Sequence, residues 1–560
     1  MKYRVIDFFC GGGGFSEGFR QMGFEIIYGY DKWLPAVNTF NYNFNLECEK
    51  TDISKFYYNI DLIEALPDTE VIIGSPPCVS FSSSNKSGGA DKSLGILLTK
   101  SFLRIIAVKK HQPASILKGW FMENVANSIK YLQDTYSFED LNLTEWAENN
   151  GFESSSVAIN IKGNYAILNA SDYGSLQARK RAICGEFISF NKFIIPKKLT
   201  HQGRRLSELF DRFPTPFTSN QSLIVRDPNY KELKLKVTSI TDHFYDTGLY
   251  QTEWMQSKFL KTSHPYMGKM SFPENTSKPS RTITATKIAN SRESIVYKSE
   301  INRLGNGEYR LPTVREAAII MGFPINYQFV GGESTKWRLI GNAVCCAVSR
   351  ALAKEILISE QIPIPEIKLP ETRKDCLINN LNDFQVKVFN SPPRKKSNAR
   401  FRRHMFKDGN LTVTLTNYNF TDTKKTVDGN WYTSIQYGTG AGFPVQQLNE
   451  KDFKKTEQLI NKVKLNNRDL LLYELENIIS NITCATSMQN AYENSNGLSD
   501  KINPITILEN GRILIQKYTV SSELITNSNG DIFLYKSKIP VNQLFAVFFF
   551  LRICIKVNKK

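Results

Sequence analysis

Short apolar runs alternate with amphipathic stretches over the first third of the chain. Residues 3–9, 26–30 and 71–73 are apolar runs that predict buried strands. Residues 96–110 have apolar positions at helical spacing, and a further helix is predicted to begin after Gly14. Because strands that alternate with helices form parallel sheets covered on both faces, this pattern predicts an α/β fold.

The regular alternation ends near residue 187 and returns later in the chain. Residues 188–277 are irregular and rich in Pro, Ser, Thr, Lys and aromatic residues. Regular structure resumes at Leu311, where Thr313 and Glu316 have the spacing of a capping box that begins a helix. Residues 344–359 predict another helix, so the regular part of the chain is interrupted rather than finished at residue 187.

A proline-spaced stretch predicts a domain boundary. Residues 360–370 contain three prolines and have the composition of a linker. The alternating pattern over residues 1–187 is therefore expected to belong to one domain. A separate α+β domain is expected over 371–560, where residues 411–416 alternate as in a strand.

Charge and cysteine content indicate which kind of partner and which cellular compartment to expect. The net charge of +17 and the pI of 9.2 favour a polyanionic partner, nucleic acid first. Residues 361–560 carry 28 Lys and Arg against 18 Asp and Glu, so this part is the more basic per residue. Nine cysteines without a Cys-x-x-Cys pair favour a reducing cytoplasm and indicate neither a zinc site nor a disulfide framework. The longest apolar run, residues 544–551, is too short to span a bilayer.

One cysteine lies in a rigid loop directly after an apolar run. Residues 74–82 read Gly-Ser-Pro-Pro-Cys-Val-Ser-Phe-Ser, and the two prolines restrict their own φ angles and the residues before them. A thiol held at the carboxyl end of a strand is where an α/β enzyme places a nucleophile. A buried structural cysteine is the alternative interpretation of Cys78.

A glycine cluster follows the first predicted strand. Gly11 to Gly14 would let the backbone turn tightly and approach a bound ligand. Asp31, at the end of the second predicted strand, has the position of an acid that contacts a ribose. Because the cluster is not a clean Gly-x-Gly-x-x-Gly, it indicates either a nucleoside-type cofactor or a plain glycine turn.

Two further motifs carry charge next to apolar runs. Glu123 follows the apolar residues 120–122, so partial desolvation would raise its pKa toward a proton-sharing role. A surface glutamate at a helix start is the alternative. Arg179 and Arg181 would share one face of a strand and suit a phosphate or a carbonyl oxygen. A solvated basic stretch is the alternative for these arginines.

In their order along the chain, these motifs resemble those of the DNA cytosine-5 methyltransferases. The resemblance covers residues 1 to about 358 and includes residues 7–15, the loop 74–82, Glu-Asn-Val at 123–125, Gln-x-Arg-x-Arg at 177–181 and Gly-Asn-Ala-Val at 341–344. It implies a Rossmann-like methyltransferase fold with a mostly parallel sheet, in which residues 1–187 and 335–359 are catalytic and residues 188–334 recognise the target.

The resemblance also implies a cofactor and a set of site residues. The cofactor is S-adenosyl-L-methionine, and no metal is implied. The implied catalytic residues are Cys78, Glu123, Arg179 and Arg181, with Cys78 adding to C6 of a flipped-out cytosine. The implied cofactor-binding residues are Asp7, Phe9, Gly11, Gly13, Gly14, Asp31, Lys32, Asp52, Ile53, Pro77 and Asn342. Lys32 departs from the family, in which this position is often aromatic.

The resemblance leaves the C-terminal part unassigned. The basic run 394–404 favours a DNA-contacting domain, and a packing domain with a solvated basic run is the alternative. A fused nuclease is a third interpretation, because Asp422 and Asp452 are each followed two residues later by a lysine.

The implied function is methylation of one short sequence in double-stranded DNA by a cytoplasmic, nucleoid-associated prokaryotic enzyme without membrane association. We expect the modification enzyme of a restriction–modification or phage-defence system, with a cognate restriction endonuclease encoded nearby as its partner. A tRNA cytosine-5 methyltransferase of the same fold is the alternative, although the Cys-Phe-Thr sequence typical of that branch is absent.

Overall fold

The chain divides into two compact units. The computed structural model describes residues 3–77, 93–199, 203–220, 222–240, 242–263, 269–371, 397–408, 411–438, 444–494, 501–520, 522–528, 530 and 532–558. The first unit comprises Met1–Leu249, Gln256–Ser263 and Gly268–Lys387, and the second comprises Tyr250–Met255, His264–Met267 and Val388–Lys560. The division after Lys387 falls among residues outside the described ranges, so the predicted boundary near residue 370 stays a prediction.

A six-stranded sheet forms the centre of the first unit. Its strands are β1 (Arg4–Phe8), β2 (Glu25–Tyr30), β3 (Val71–Gly74), β4 (Gly119–Val125), β5 (Tyr165–Asn169) and β6 (Lys180–Phe187), in the spatial order β2-β1-β3-β4-β6-β5. The first four strands pair in parallel, whereas β6 runs antiparallel to both β4 and β5. The predicted α/β fold with a mostly parallel sheet is therefore confirmed.

Helices and short strand pairs complete the first unit. The principal helices are α1 (Gly14–Gln21), α2 (Leu34–Phe44), α3 (Ser93–His111), α4 (Val314–Ile320), α5 (Glu333–Asn342) and α6 (Cys346–Ser359). Shorter helices are Lys55–Tyr58, Asp61–Glu64, Ala126–Tyr131, Glu139–Leu141, Thr144–Asn149, Ala170–Tyr173, Ile188–Phe190, Ser207–Arg212 and Val237–Ser239. The helix Gln251–Thr262 has residues in both units. The short strand pairs are Thr135–Ser137 with Val157–Asn160, Ile224–Arg226 with Lys234–Lys236, and Tyr297–Lys298 with Tyr309–Arg310.

Alternate residues of the central strands belong to two hydrophobic cores. Val5 and Phe121 pack in one core together with residues of α1, α4 and α6. Ile6 and Trp120 pack in the other core together with residues of α3. Because side chains alternate across a strand, the two cores cover opposite faces of the sheet. A ligand can therefore reach the sheet at the ends of its strands.

The predicted helix that begins with a capping box is confirmed. Thr313 accepts from the backbone of Glu316, and Glu316 accepts from the backbone of Thr313. Every residue of α4 is buried, and its apolar side chains share a core with Phe15 and Phe19 of α1. The same core includes Leu206 and Ile283, so the predicted limit of the irregular module at residue 334 stays a prediction.

The predicted linker lies against the first unit. It forms neither helix nor strand over residues 362–371, and the backbone N–H of Lys368 donates to the carbonyl oxygen of Gln21 at 2.9 Å. Asn326 Nδ2 donates to the carbonyl oxygen of Pro370 at 2.6 Å. These contacts hold the stretch at both α1 and the loop after α4.

The second unit is built on a four-stranded antiparallel sheet. Its strands are Arg402–Asp408, Leu411–Tyr418, Val427–Gln436 and Val445–Leu448, in that spatial order. The helices are Glu450–Asn461, Arg468–Ser480, Ala485–Glu493, Pro504–Tyr518 and Val541–Val557, and strands Leu524–Thr526 and Lys538–Pro540 form a pair. The predicted α+β domain and its strand near residue 411 are confirmed.

The longest apolar run lies in the last helix, Val541–Val557. Leu544, Phe545, Phe549 and Ile553 of this helix are fully buried in the core of the second unit. Among the described residues, none of the helices combines the length and apolar character that a membrane crossing requires.

The two acids that suggested a nuclease have local structural contacts. Asp422 Oδ1 accepts from the backbone N–H of Lys424 at 3.1 Å in a turn. Asp452 Oδ2 accepts from the backbone N–H of Asn449 at 2.9 Å and caps the helix Glu450–Asn461. These contacts account for both acids without a bound metal.

Candidate active site

The carboxyl ends of four parallel strands meet at one edge of the central sheet. Phe8 of β1 lies opposite both Tyr30 of β2 and Gly74 of β3, and Gly74 lies opposite Met122 of β4. Because β4 continues past this level, Glu123 lies beyond the end of β3. The loops after β1, β2 and β3 and the end of β4 therefore share one edge of the sheet.

The loop after β1 has an unusual backbone conformation. Phe9, Gly11 and Gly13 have positive φ angles of 58°, 51° and 79°. A left-handed conformation is costly for a residue such as Phe9, and this kind of strain is concentrated at functional sites. A Cβ atom at Gly13 would collide with the phenol oxygen of Tyr327, whereas a Cβ atom at Gly11 would meet no atom closer than 3.8 Å. The lack of a side chain at Gly13 thus allows Tyr327 to pack closely, and the lack of one at Gly11 leaves space for a ligand.

Gly13→Ala is expected to lower the free energy of unfolding by about 3 kcal/mol, because alanine must adopt the left-handed conformation and overlap with Tyr327. Urea denaturation monitored by tryptophan fluorescence measures this loss. Gly151→Ala is the matched control, since Gly151 also has φ of 79° but a Cβ atom there would meet nothing within 4 Å. Its expected cost is about 1 kcal/mol from backbone strain alone. Equal losses in the two variants would exclude the contact with Tyr327 as the cause.

Asp7 is a buried carboxyl with one oxygen available. Ser16 Oγ donates to Asp7 Oδ2 at 2.7 Å, whereas Oδ1 has no hydrogen-bond partner among the described residues. Burial raises the pKa of Asp7 to about 8. An oxygen left in this state suits a cationic ligand group, which would favour the ionised carboxylate.

Asp31 connects the loops after β1 and β2. Its carboxylate accepts from the backbone N–H groups of Gly11 at 3.0 Å and Trp33 at 2.8 Å. Burial raises the pKa of Asp31, and these two hydrogen bonds oppose the rise. Lys32 is exposed, whereas the guanidinium of Arg338 lies 4.5 Å from the centre of the Trp33 ring. Asp31 therefore fixes the glycine loop and retains acceptor capacity for hydroxyl groups.

The remaining predicted cofactor residues lie around the same edge. Asp52 Oδ1 accepts from the backbone N–H and the hydroxyl of Ser54, at 3.0 and 2.8 Å, which fixes the turn that contains the buried Ile53. Pro77 is half-buried after β3, and Asn342 is exposed at the end of α5. The free oxygen of Asp7, the space beside Gly11, the carboxylate of Asp31 and the apolar Ile53 and Pro77 fit the cationic, ribose and adenine parts of S-adenosylmethionine.

The segment before Cys78 is hydrogen-bonded to the end of β1 and to β4. Ser75 donates its backbone N–H to the carbonyl oxygen of Phe8 at 3.1 Å and its hydroxyl to that of Phe9 at 3.3 Å. Asn124 Nδ2 donates to the carbonyl oxygen of Pro76 at 3.2 Å. Cys78 itself lies outside the described residues, so the structure gives the position of the loop only as far as Pro77.

Glu123 and Arg181 form a buried ion pair at the end of β4. Arg181 Nε lies 3.0 Å from Glu123 Oε1, and Glu123 is only 6% exposed. Burial raises the pKa of Glu123, and the positive charges of Arg181 and Arg179 oppose this rise. Burial therefore favours the protonated form of this carboxyl, and a proton held there can be shared with a ligand.

Arg179 has a different set of contacts. Its guanidinium donates to the carbonyl oxygens of Ile283 and Gly341 at 2.9 Å and of Ala343 at 3.2 Å. Arg181 contacts the carboxylate of Glu123, and the positive charge of Arg179 also acts on that carboxylate. That the two arginines serve one ligand stays a prediction.

Several positioning residues were not predicted as site residues. Asn124 belongs to the Glu-Asn-Val motif, so its sequence position carried a signal for the contact with Pro76. Tyr327 donates from its hydroxyl to the carbonyl oxygen of Gly12 at 2.8 Å, across more than three hundred residues of sequence. No local sequence pattern indicates the contact of Tyr327 with Gly12, because it depends on how the segment after α4 packs against the loop after β1.

Comparison with known proteins gives a consistent result. A family model described as C-5 cytosine-specific DNA methylase matches residues 3–358. Type II methyltransferase M.HgiDI of Herpetosiphon aurantiacus is 31% identical over 347 residues, which are 61% of this chain and 90% of that protein. Type II methyltransferase M.MthTI of Methanothermobacter thermautotrophicus is 27% identical over 363 residues, which are 64% of this chain and 97% of that protein.

Among solved structures, the S. pombe Dnmt2 methyltransferase matches 65% of this chain and 100% of its own, with 15% identity and a TM-score of 0.39. The main part of the second unit, Val388–Lys560, lies beyond the region that the family model matches. Since that model covers well over half of the sequence and nearly all of the first unit, the chain belongs to the C-5 cytosine-specific DNA methylase family.

Proposed function

We propose that this DNA cytosine-5 methyltransferase modifies one short sequence in double-stranded DNA through a covalent bond between Cys78 and C6 of a flipped-out cytosine. The observation that carries the proposal is the buried pair of Glu123 and Arg181 at the same sheet edge as the held Pro76–Pro77 loop. The names of the relatives, type II methyltransferases, support a role as the modification enzyme of a restriction–modification system with a cognate endonuclease.

Cys78 would act as the nucleophile. Its thiolate forms a bond to C6, and the electrons of the C5–C6 double bond move to C5, which becomes able to accept a methyl group. Removal of the C5 proton by a base then returns the electrons to the ring and breaks the bond between sulfur and C6. Splitting the reaction in this way replaces one difficult step by two easier ones. Flipping the cytosine out of the duplex costs a few kcal/mol, about the loss of one stacked and paired base.

Glu123 would stabilise the charge that develops on the base. A protonated carboxyl donates to N3 as the thiolate adds, and its second oxygen accepts from the exocyclic amine. Arg181 holds the carboxyl in place at 3.0 Å, and Arg179 anchors the backbone around it through the carbonyl oxygens of Gly341 and Ala343. Arg181 would therefore orient the carboxyl directly, and Arg179 would support the backbone around it and add positive charge near it.

S-adenosylmethionine, held by the loops after β1 and β2, would supply the electrophilic methyl group. Asp7 would face its cationic part, and Asp31 would accept from its ribose hydroxyls. Ile53 and Pro77 would provide apolar contacts for the adenine. Asp7 is already supported by Ser16, and Asp31 by the backbone of Gly11, so neither carboxylate has to be oriented on binding.

Binding of S-adenosylmethionine is expected to tighten as the pH rises from 6 to 8.5. In the free protein burial holds the pKa of Asp7 at about 8, so this carboxyl is protonated at neutral pH, and a cationic ligand requires its proton to leave. The same raised pKa means that the free protein loses stability as the pH rises from about 4, the ordinary value, through about 8. Isothermal titration calorimetry in two buffers measures proton release, which Asp7→Asn would abolish. Equal proton release by both proteins would contradict this role of Asp7.

Bisulfite sequencing tests the proposed function directly. DNA from cells that express the chain is expected to contain 5-methylcytosine at one short sequence motif, and DNA from cells that express Cys78→Ser is expected to contain none. Methylation in neither sample, with both proteins folded, would overturn the proposal.

Methyl transfer to RNA is the remaining alternative of the same fold. Labelled S-adenosylmethionine with duplex DNA and tRNA in separate reactions distinguishes the two substrates. Transfer to tRNA with no transfer to DNA would replace the proposed substrate while leaving the roles of Cys78 and Glu123 intact.

A further inference from the structure

The second unit carries a group of cations that are held by aromatic rings. The guanidinium of Arg402 lies 4.7 Å from the centre of the Phe420 ring, and the ammonium of Lys425 lies 4.9 Å from the same centre. The guanidinium of Arg400 lies 6.0 Å from the centre of the Tyr418 ring, which stacks on Phe420 with the ring planes 24° apart. These five residues form what we call the cation–aromatic patch.

The patch lies at an edge of the sheet in the second unit. Arg402 begins the edge strand Arg402–Asp408, and Lys425 belongs to the connection between the next two strands. Arg400 and Arg402 are exposed, and Lys425 and Phe420 are half-buried. Since two of the cations lie within 5 Å of one ring centre, they are less than about 10 Å apart. The edge therefore presents a compact set of positive charges to solvent.

The cations of the patch are not neutralised within the described part of the chain. Arg400 donates to the carbonyl oxygen of Lys424, and Arg402 donates to Gln436 Oε1, but neither they nor Lys425 pairs with a carboxylate there. The buried arginines of the first unit are different, since Arg310 pairs with two glutamates and Arg315 with Asp242. Rings orient the cations of the patch without using their charge, so that charge remains available to an anionic partner.

We propose that the cation–aromatic patch binds the phosphate backbone of DNA and adds sequence-independent affinity to that of the methyltransferase unit. Clustered lysine and arginine side chains with interleaved aromatic rings are the recognition chemistry of nucleic-acid phosphates. The edge strand, the stacked rings and the missing carboxylates support a polyanion as the occupant. The choice of DNA over other polyanions rests on the proposed function of the chain.

Fluorescence anisotropy with a labelled duplex tests the proposal on the full chain. The variant Arg400→Gln/Arg402→Gln/Lys425→Gln is expected to raise Kd on the order of a hundredfold at 0.15 M salt. It is also expected to reduce the slope of log Kd against log salt by about 2.7, roughly 0.9 for each phosphate that the protein no longer neutralises. No cofactor is added, so the result does not depend on whether the chain methylates DNA.

A variant with the same loss of charge serves as the control. Lys451, Lys454 and Lys462 are exposed on or next to the helix Glu450–Asn461, in the same unit. Lys451→Gln/Lys454→Gln/Lys462→Gln removes three positive charges away from the patch and is expected to leave the salt slope nearly unchanged. Thermal unfolding of both variants shows whether either change disturbs the fold.

The outcomes separate the patch from net charge and from other partners. Equal Kd and equal slopes for the wild type and the patch variant would overturn the proposal, and so would equal effects of the two triple variants. Loss of binding to a labelled RNA duplex with unchanged binding to DNA would overturn it in favour of an RNA partner. If the chain does not methylate DNA but the patch variant still loses affinity for the duplex, the proposed function fails and the patch proposal stands.

Discussion

Replacement of Cys78 by serine is expected to reduce methyl transfer by at least about 10⁴-fold, to the limit of detection. A cysteine thiol has a pKa of about 8.5 and forms a thiolate readily, whereas a serine hydroxyl at the same place is a far weaker nucleophile. Binding of DNA and of S-adenosylmethionine is expected to persist, because the described contacts of Ser75 and Pro76 do not involve the thiol. Transfer of labelled methyl groups to duplex DNA under single-turnover conditions measures the loss.

A duplex with 5-fluorocytosine at the target position makes the covalent step visible. Fluorine at C5 cannot leave as a cation, so the final elimination is blocked and the bond between Cys78 and C6 persists through a denaturing gel. Cys484→Ser is the matched control, since Cys484 is an exposed thiol in the second unit and serine also caps a helix well. It is expected to retain both the rate and the trapped complex. A trapped complex with Cys78→Ser would assign the nucleophile to another residue.

Much of the site was predictable because it lies at the ends of strands. The apolar runs identified β1, β2 and β3 within one or two residues, and the parallel pairing of these strands brings the residues that follow them to one edge. Glu123 and Arg181 were predicted separately, and the antiparallel pairing of β4 with β6 is what brings them together. Local patterns thus located the residues, and the sheet order determined the pair.

Contacts between distant segments were not predictable from local patterns. Position 13 must be glycine because any side chain there would overlap with Tyr327. Arg179 donates to the carbonyl oxygens of Ile283 and Gly341. These partners are distant in sequence, and only folding brings them together. The apolar face of α4 could be predicted as buried, but the sequence did not indicate that it would share a core with Phe15.

Glu123→Gln is expected to lower kcat by about 10²- to 10⁴-fold, because the amide cannot give a proton to N3 as the thiolate adds to C6. The shape and the hydrogen-bonding groups near Arg181 are largely kept, so the Kd for DNA is expected to change much less than kcat. The pH profile gives a second test. Burial raises the pKa of Glu123, and the carboxyl becomes ionised as the pH rises through that value, so kcat of the wild type is expected to fall on the alkaline side. The residual kcat of the variant is expected to lack this alkaline limb, which is the fall of kcat at high pH.

Glu186→Gln is the matched control for the loss of a buried carboxylate. Glu186 is 1% exposed in β6, lies 2.7 Å from Lys110 and accepts from Trp120 Nε1, away from the strand ends that form the site. Replacement of Glu186 is expected to lower stability but to leave kcat and its pH dependence unchanged. The pair of Glu186 and Lys110 lies away from the strand ends where the base would bind. If both variants lowered kcat equally, the effect of Glu123→Gln would reflect a general loss of packing around β6. A selective loss in Glu123→Gln, together with the missing alkaline limb, would instead require that the carboxyl of Glu123 itself delivers the proton.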